Sequence, residues 1–199
     1  MDFIDYFPLT GFLLMLVLIT VRIYSLKQKR IQVISSSQKN RSSKVLYPIF
    51  VFIFLLWLFE IVRPAFRISF SLLPEQLTKQ IFDCFSVKTT GAILILFALI
   101  FWILTLSHFQ NSLRLGLNEN NKGTLITNGI FSLSRNPFFL SFDLYFLGVA
   151  LILPSVFMLV FTIAALVSIH FFILKEERFM TENYGEEYQN YRQKTRRYL

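Results

Sequence analysis

The chain has 199 residues, of which 54% are hydrophobic and only 16% charged, and it carries 24 Phe. A soluble domain of this size needs more polar surface to cover its core, so the composition excludes an ordinary soluble fold and makes the bilayer the solvent. The net charge of +8 would suit a nucleic-acid binder, but the cations sit between apolar blocks with no basic–aromatic interleaving, which excludes nucleic acid and matches the cationic bias of cytoplasmic membrane loops.

A spanning helix needs about 20 mostly apolar residues. Five blocks meet or approach that length, at residues 7–24, 47–62, 90–106, 137–153 and 155–174. The first is read as a retained helix and not a cleavable leader. Asp2 and Asp5 replace the basic stretch of a leader, and no small-residue cleavage site follows. The next loop, residues 25–44, carries Lys27, Lys29, Arg30, Lys39, Arg41 and Lys44 without an acid, which marks it as cytoplasmic. The N-terminus is then outside. Alternation puts residues 63–88 outside, 107–136 inside, the Pro154 turn outside and the tail from Lys175 inside.

Near the outer end of the second block, Glu60 and Arg63 have the spacing of an interfacial ion pair. In the loop that follows, Leu73, Leu77, Ile81 and Phe85 form an i, i+4 stripe, which predicts a short helix lying on the membrane. Cys84 is the one cysteine, so no intrachain disulfide forms. Residues 117–129 are rich in Asn and Gly, the composition of irregular backbone. The fourth and fifth blocks are separated only by Pro154. Proline disfavours continued helix, and one uninterrupted span would be too long for a single crossing, so a tight helical hairpin is expected. The sequence thus predicts an all-α integral membrane protein of about five transmembrane helices. Residues 1–110 hold the N-terminal helices, and residues 111–199 hold a cofactor-binding region with the hairpin and a cytosolic tail.

Four features gather on the expected cytoplasmic face: the segment from Gly123 to Gly129; Ser134-Arg135-Asn136-Pro137-Phe138-Phe139; Glu176-Glu177; and Tyr184-Gly185-Glu186-Glu187-Tyr188, followed by Tyr191 and Arg196-Arg197. An antiparallel hairpin brings Arg135 and Asn136 opposite Glu176. Pro137 suits a first helical turn, and the N–H groups there favour a carboxylate. A carboxylate pair can accept from an ammonium or a ribose diol, and Phe131, Phe138 and Phe139 can pack an adenine or face a sulfonium. Each piece also has a plainer reading. Arg135 can be a snorkelling interfacial cation, and Glu176 and Glu177 a solvated helix face beside Lys175 and Arg178. The tail tyrosines fit an interfacial anchor, and His108 and His170 lack metal-ligand spacing, so no metal site is expected. Asp143 lies within the fourth block, where a charge is costly and points into the bundle.

The order of these features resembles the superfamily of isoprenylcysteine carboxyl methyltransferases and phospholipid methyltransferases. Its pattern runs Leu-Val-Thr-x-Gly-x-Tyr, Arg-His-Pro-x-Tyr, an apolar hairpin, Glu-Glu-x-x-Leu and Gly-Glu-Glu-Tyr-x-x-Tyr. Here the chain reads LITNGIFSLSRNPFF, an apolar hairpin and EERFMTENYGEEYQNY, covering about residues 117–199. The resemblance implies an S-adenosylmethionine-dependent membrane methyltransferase with a cytosolic cofactor pocket. It places cofactor contacts on Gly123, Thr124, Leu125, Ile126, Phe131, Asn136, Pro137, Phe138, Phe139 and Glu176. Arg135 and Asn136 would hold the cofactor carboxylate or orient the acceptor, and Asp143 and Glu177 are substrate candidates. The implied acceptor is a lipid or lipidated molecule arriving from the membrane, with an isoprenylcysteine carboxylate first and a phospholipid amine as the alternative. Asn136 stands where the pattern has His, and Phe131 and Phe139 stand where it has Tyr, so a titrating group and two hydroxyls are replaced while the rings remain. Two further alternatives stay open: an NADPH-dependent membrane reductase of related architecture, and a non-catalytic relative.

Overall fold

The computed structural model describes residues 3–29, 43–109 and 125–199. Each apolar block forms a helix. After a 3₁₀ turn at Phe3–Tyr6 come α1 (Phe7–Gln28), α2 (Ser43–Phe66) and the single turn α3 (Glu75–Thr78). Then follow α4 (Phe85–His108), the short α5 (Ile130–Leu133), α6 (Pro137–Ile152), α7 (Val156–Tyr184) and α8 (Glu186–Lys194). Among the described residues the one strand-like feature is an antiparallel bridge between Gln80 and Ser155.

Four helices, Phe3–Gln28, Tyr47–Phe66, Phe85–His108 and Val156–Tyr184, are long and apolar enough to cross a membrane. The fifth, α6, has 16 residues. At about 1.5 Å per residue it extends roughly 24 Å, short of the roughly 30 Å hydrocarbon core. By the same measure α7, with 29 residues, runs roughly 43 Å, so its polar last turns extend past the apolar layer. Outward-facing Val160, Ile163, Val167 and Phe171 form an exposed apolar stripe on α7. Exposed apolar residues on α1, α2 and α4 continue this surface, which only lipid covers at low cost.

Helix α6 lies inside the bundle because glycines admit it. A Cβ on Gly91 of α4 would lie 2.6 Å from the Gly148 carbonyl oxygen of α6, and one on Gly148 would lie 2.6 Å from the Gly91 carbonyl oxygen. The two backbones therefore touch, a contact only small residues permit. Tyr145 of α6 donates to the Pro8 carbonyl at 2.7 Å, and Trp102 Nε1 of α4 donates to the Met15 carbonyl at 3.2 Å. These bonds satisfy polar tips of otherwise buried rings. Trp57 of α2 is sandwiched between Phe54 (5.4 Å) and Phe161 (5.2 Å).

The hairpin turns at Leu153-Pro154-Ser155, where the Ser155 hydroxyl caps α7 by accepting from Met158 N at 3.2 Å. On the turn side of the bundle, Glu60 and Arg63 form the expected ion pair at 2.8 Å, and Lys88 is buried between Asp5 (3.3 Å) and Asp83 (2.7 Å). A cavity of about 670 Å³ also opens there, lined by Glu60, Arg63, Ser71, Lys79 and Ser155 among others.

Two expectations are corrected. The surface helix across Leu73, Leu77, Ile81 and Phe85 shrinks to the single turn α3, because the backbone is extended at Lys79 and Ile81 N donates to the Pro154 carbonyl at 2.8 Å. Pairing with the hairpin turn supplants the helical bonds. The tail tyrosines Tyr188 and Tyr191 are not interfacial anchors. Both are buried in a small second core with Ile130 and Phe131, because α8 folds back onto α5.

Candidate functional site

The end of the bundle opposite the hairpin turn gathers the motif residues. Extended backbone at Ser134 precedes Asn136, the N-cap residue of α6, and Pro137 occupies the first turn. The Asn136 side chain does not cap α6. It donates instead to Glu177 (3.2 Å) and to the Arg197 carbonyl (3.3 Å), which leaves the leading N–H groups of α6 without a side-chain partner.

Glu177 of α7 is the centre of a buried network. Its Oε1 accepts from Arg135 Nη2 at 2.9 Å and Nε at 3.3 Å, and its Oε2 accepts from Arg197 Nη2 at 2.9 Å. Arg135 Nη1 donates to the carbonyls of Arg192 (2.9 Å) and Thr195 (3.0 Å), and Arg135 N donates to the Arg196 carbonyl at 2.9 Å. The Ser134 hydroxyl adds a bond to the Arg197 carbonyl at 3.2 Å. The tail is thereby strapped across the open end of the hairpin. Its hydrogen bond to the Glu177 carboxylate holds the Arg197 guanidinium above its ordinary pKa. Two guanidiniums share one carboxylate here, so the cluster retains a positive charge that a further carboxylate can balance.

Glu176 lies beside this network, half-buried. It makes no hydrogen bond or ion pair among the described residues. Phe138 stacks on Trp102 at 4.7 Å, Phe109 meets both Phe131 (5.1 Å) and Phe138 (6.2 Å), and Phe139 meets Phe172 of α7 at 5.5 Å. Leu125 and Ile126 pack onto the second core, where the Tyr191 hydroxyl donates to the Phe131 carbonyl at 2.6 Å. Burial pushes the Tyr188 hydroxyl up to about 12 and raises Tyr191 as well, so both rings stay neutral donors. Gly129 turns the chain into α5 with φ +61°, and its missing Cβ makes room for the His108 ring.

The structure therefore brings together Phe131, Arg135, Asn136, Pro137, Phe138, Phe139, Glu176 and Glu177 at one end of the hairpin, with Leu125 and Ile126 on the adjoining core. Gly123 and Thr124 lie outside the described residues. Asp143 is set deeper, one turn along α6 from Phe139, and its buried Oδ1 has no hydrogen-bond partner among the described residues. Sequence reasoning gave no partner to three residues: Arg197, which binds Glu177, and His170 and Tyr198, bonded to each other from Nδ1 to the hydroxyl at 2.8 Å. The Arg196-Arg197 pair was visible as tail charge, but nothing local ties it to Glu177.

A family model described as phospholipid methyltransferase matches residues 87–187, from the first turn of α4 to the start of α8. No curated protein matches the chain, and no solved structure matches it.

Proposed function

Since the chain belongs to the phospholipid methyltransferase family, we propose that it is a membrane-embedded methyltransferase that uses S-adenosylmethionine and acts on a lipidic or lipidated acceptor. The observation that carries this reading is the Glu177 network. It gathers Glu176, the uncapped start of α6 and the Phe131–Phe109–Phe138 rings at the polar end of the hairpin.

The residues there fit the cofactor. The free N–H groups of α6 and the residual positive charge of the network suit its carboxylate. The Glu176 carboxylate, left without a partner, suits its ammonium or ribose diol. The partly exposed rings of Phe138 and Phe139, with Phe131 packed behind them, suit the adenine or the sulfonium. When bound, the cofactor supplies a methyl group activated on a cationic sulfur. The chain's own part is alignment and exclusion of water, which does not need a titrating group at Asn136. Arg135 and Asn136 act as positioning residues here: Arg135 spends its side-chain donors on Glu177 and on the tail carbonyls, and both fix where Glu176 and the first turn of α6 stand. Gly123, Thr124, Leu125 and Ile126 complete the pocket in this reading. The pocket faces the cytosol and the N-terminus lies outside, as the cationic loop at residues 25–44 implies. The acceptor reaches the site from the lipid side of the hairpin.

The test is calorimetric titration of the purified protein in detergent with S-adenosylmethionine, and with NADPH in parallel. Binding of S-adenosylmethionine that weakens in Glu176→Gln supports the reading. NADPH binding without S-adenosylmethionine binding supports a reductase, and binding of neither by folded protein supports a non-catalytic relative.

A further inference from the structure

We infer that the cavity at the hairpin-turn end of the bundle is a binding site for a lipid that is not the methyl acceptor, and that it takes a zwitterionic headgroup joining a phosphate to an ammonium. The cavity lies at the opposite end of α7 from the proposed cofactor pocket. Ser155, the N-cap of α7, lines it, and Glu176 stands about 32 Å away along the same helix at about 1.5 Å per residue. A molecule held here is out of reach of a methyl group bound beside Glu176.

The chain builds this cavity with a fixed loop. It leaves α2 through Arg67, which takes a left-handed φ of +55°. Arg67 N and Ile68 N donate back to the Pro64 (3.2 Å) and Arg63 (3.0 Å) carbonyls, a reversal that closes the helix. The loop then passes Glu60, whose Oε1 accepts from the Ser71 hydroxyl at 2.7 Å while its Oε2 holds Arg63 at 2.8 Å. Farther on, Gln80 pairs with Ser155, and Ile81 N donates to the Pro154 carbonyl at 2.8 Å. The loop is tied to α2 at one end and to the hairpin turn at the other. The space of about 670 Å³ that it borders, with Leu153 and Met158 on the apolar side, is therefore preformed.

Glu60 and Arg63 direct their charges at each other. Glu75 and Lys79 do not. Both line the cavity, both are exposed, and they stand four residues apart around the single turn α3. Opposite charges at that spacing can pair on a helix, yet neither side chain has an ion-pair partner among the described residues. An open cation and an open anion on one cavity match a ligand that carries both signs, with its phosphate toward Lys79 and its ammonium toward Glu75. A simple anion would meet Glu75, and a simple amine would meet Lys79. The hydroxyls of Ser69 and Thr78 offer further donors for phosphate oxygens.

The surroundings favour a lipid as the source of that headgroup. Phe66, Phe70 and Leu72, next to lining residues of the loop, are exposed. On α7, Val156, Val160 and Ile163 continue from Ser155 as an exposed apolar stripe. Acyl chains can cover these residues while the headgroup occupies the cavity.

The experiment titrates the full chain in detergent micelles with three probes and follows the thermal midpoint. Phosphatidylcholine carries phosphate, ammonium and acyl chains, and its quaternary nitrogen cannot accept another methyl group. Phosphatidylglycerol lacks the ammonium, and glycerophosphocholine lacks the acyl chains. Phosphatidylcholine should raise the midpoint, as a ligand of the folded chain does, at concentrations where the other two act much more weakly. The double variant Glu75→Gln, Lys79→Gln should weaken its apparent affinity about fivefold or more, the scale of exposed charge contacts. Both side chains are exposed, so the variant's midpoint without lipid should match that of wild type. Glu176→Gln should leave the lipid response unchanged, which separates this site from the fate of the methyltransferase reading. No response to phosphatidylcholine overturns the inference. An equal response in the double variant does so too, because it marks general solvation of the helices. Phosphatidylglycerol binding as tightly overturns the zwitterionic headgroup, and glycerophosphocholine binding as tightly overturns the lipid source.

Discussion

Arg135 and Glu177, 42 residues apart in sequence, meet as a buried ion pair at 2.9 Å, and the same carboxylate binds Arg197 from the tail. One side chain thus joins the start of α6, the end of α7 and the C-terminal strap. Its neighbour Glu176, one position earlier, joins none of them. Two adjacent carboxylates differ in their surroundings: Glu177 holds the frame, and Glu176 has no partner among the described residues, which is why the proposed reading gives it to the cofactor.

Glu177→Ala should therefore damage folding before it damages chemistry. Removing one member of a buried pair leaves an uncompensated charge and costs about 3–5 kcal/mol. Arg135 is the more buried partner and Arg197 the more exposed, at 7% and 30% of side-chain surface, so the lower end of that range is expected. A thermal melt in detergent should show a clear drop in midpoint. A melt that overlays wild type would mean that the network holds nothing together.

Glu176→Gln should do the reverse. Its carboxylate has no partner among the described residues, so the melt should stay near that of wild type. The affinity for S-adenosylmethionine should fall about tenfold or more, because a hydrogen bond to a charged group contributes about 1.5–3 kcal/mol. Equal cofactor affinity in the two proteins, read by calorimetry, would remove Glu176 from the site.

Much of this arrangement was legible in the sequence. Long apolar blocks announce helices because the bilayer leaves the backbone few other choices. Pro154 announces the hairpin, and the hairpin alone brings Arg135 opposite the two glutamates. Contacts made by the tail were not legible. Arg197 reaches Glu177 across 20 residues and Tyr198 reaches His170 across 28, and no periodicity links such positions. Tyr188 and Tyr191 misled for a different reason: an amphipathic aromatic pattern looks the same at a lipid interface as it does against a small core. The stripe at Leu73 and Leu77 had helical spacing, but backbone pairing at Gln80 and Ile81 ended the helix after one turn.

Gly148 tests what holds α6 inside the bundle. Gly148→Leu would drive a side chain into the Gly91 carbonyl and Ile95, where even a Cβ would lie 2.6 and 2.7 Å away. Overpacking of this kind costs about 1–3 kcal/mol when neighbours can yield, and a backbone carbonyl yields poorly. A lowered melt with weakened cofactor binding is expected, because Phe138 reaches Trp102 through this same α4–α6 contact. Gly148→Ala should show a smaller loss in both measurements. If Gly148→Leu folds and binds like wild type, the close crossing is not what positions α6.

The orientation can be read from the protein's one cysteine. Cys84 is exposed and lies just before α4, in the loop expected outside the cell. The cationic segment at residues 25–44 precedes α2 in the sequence, whereas Cys84 follows it, and translocating such a cluster is disfavoured. A membrane-impermeant maleimide should therefore label Cys84 in intact cells, and permeabilisation should add little further labelling. Labelling that requires permeabilisation would place the Cys84 loop inside and the Glu176–Glu177 end of α7 outside. A pocket on that side could not draw on the cytosolic supply of S-adenosylmethionine. This measurement needs no substitution and no knowledge of the acceptor, and a reversed result would count against the cytosolic pocket directly.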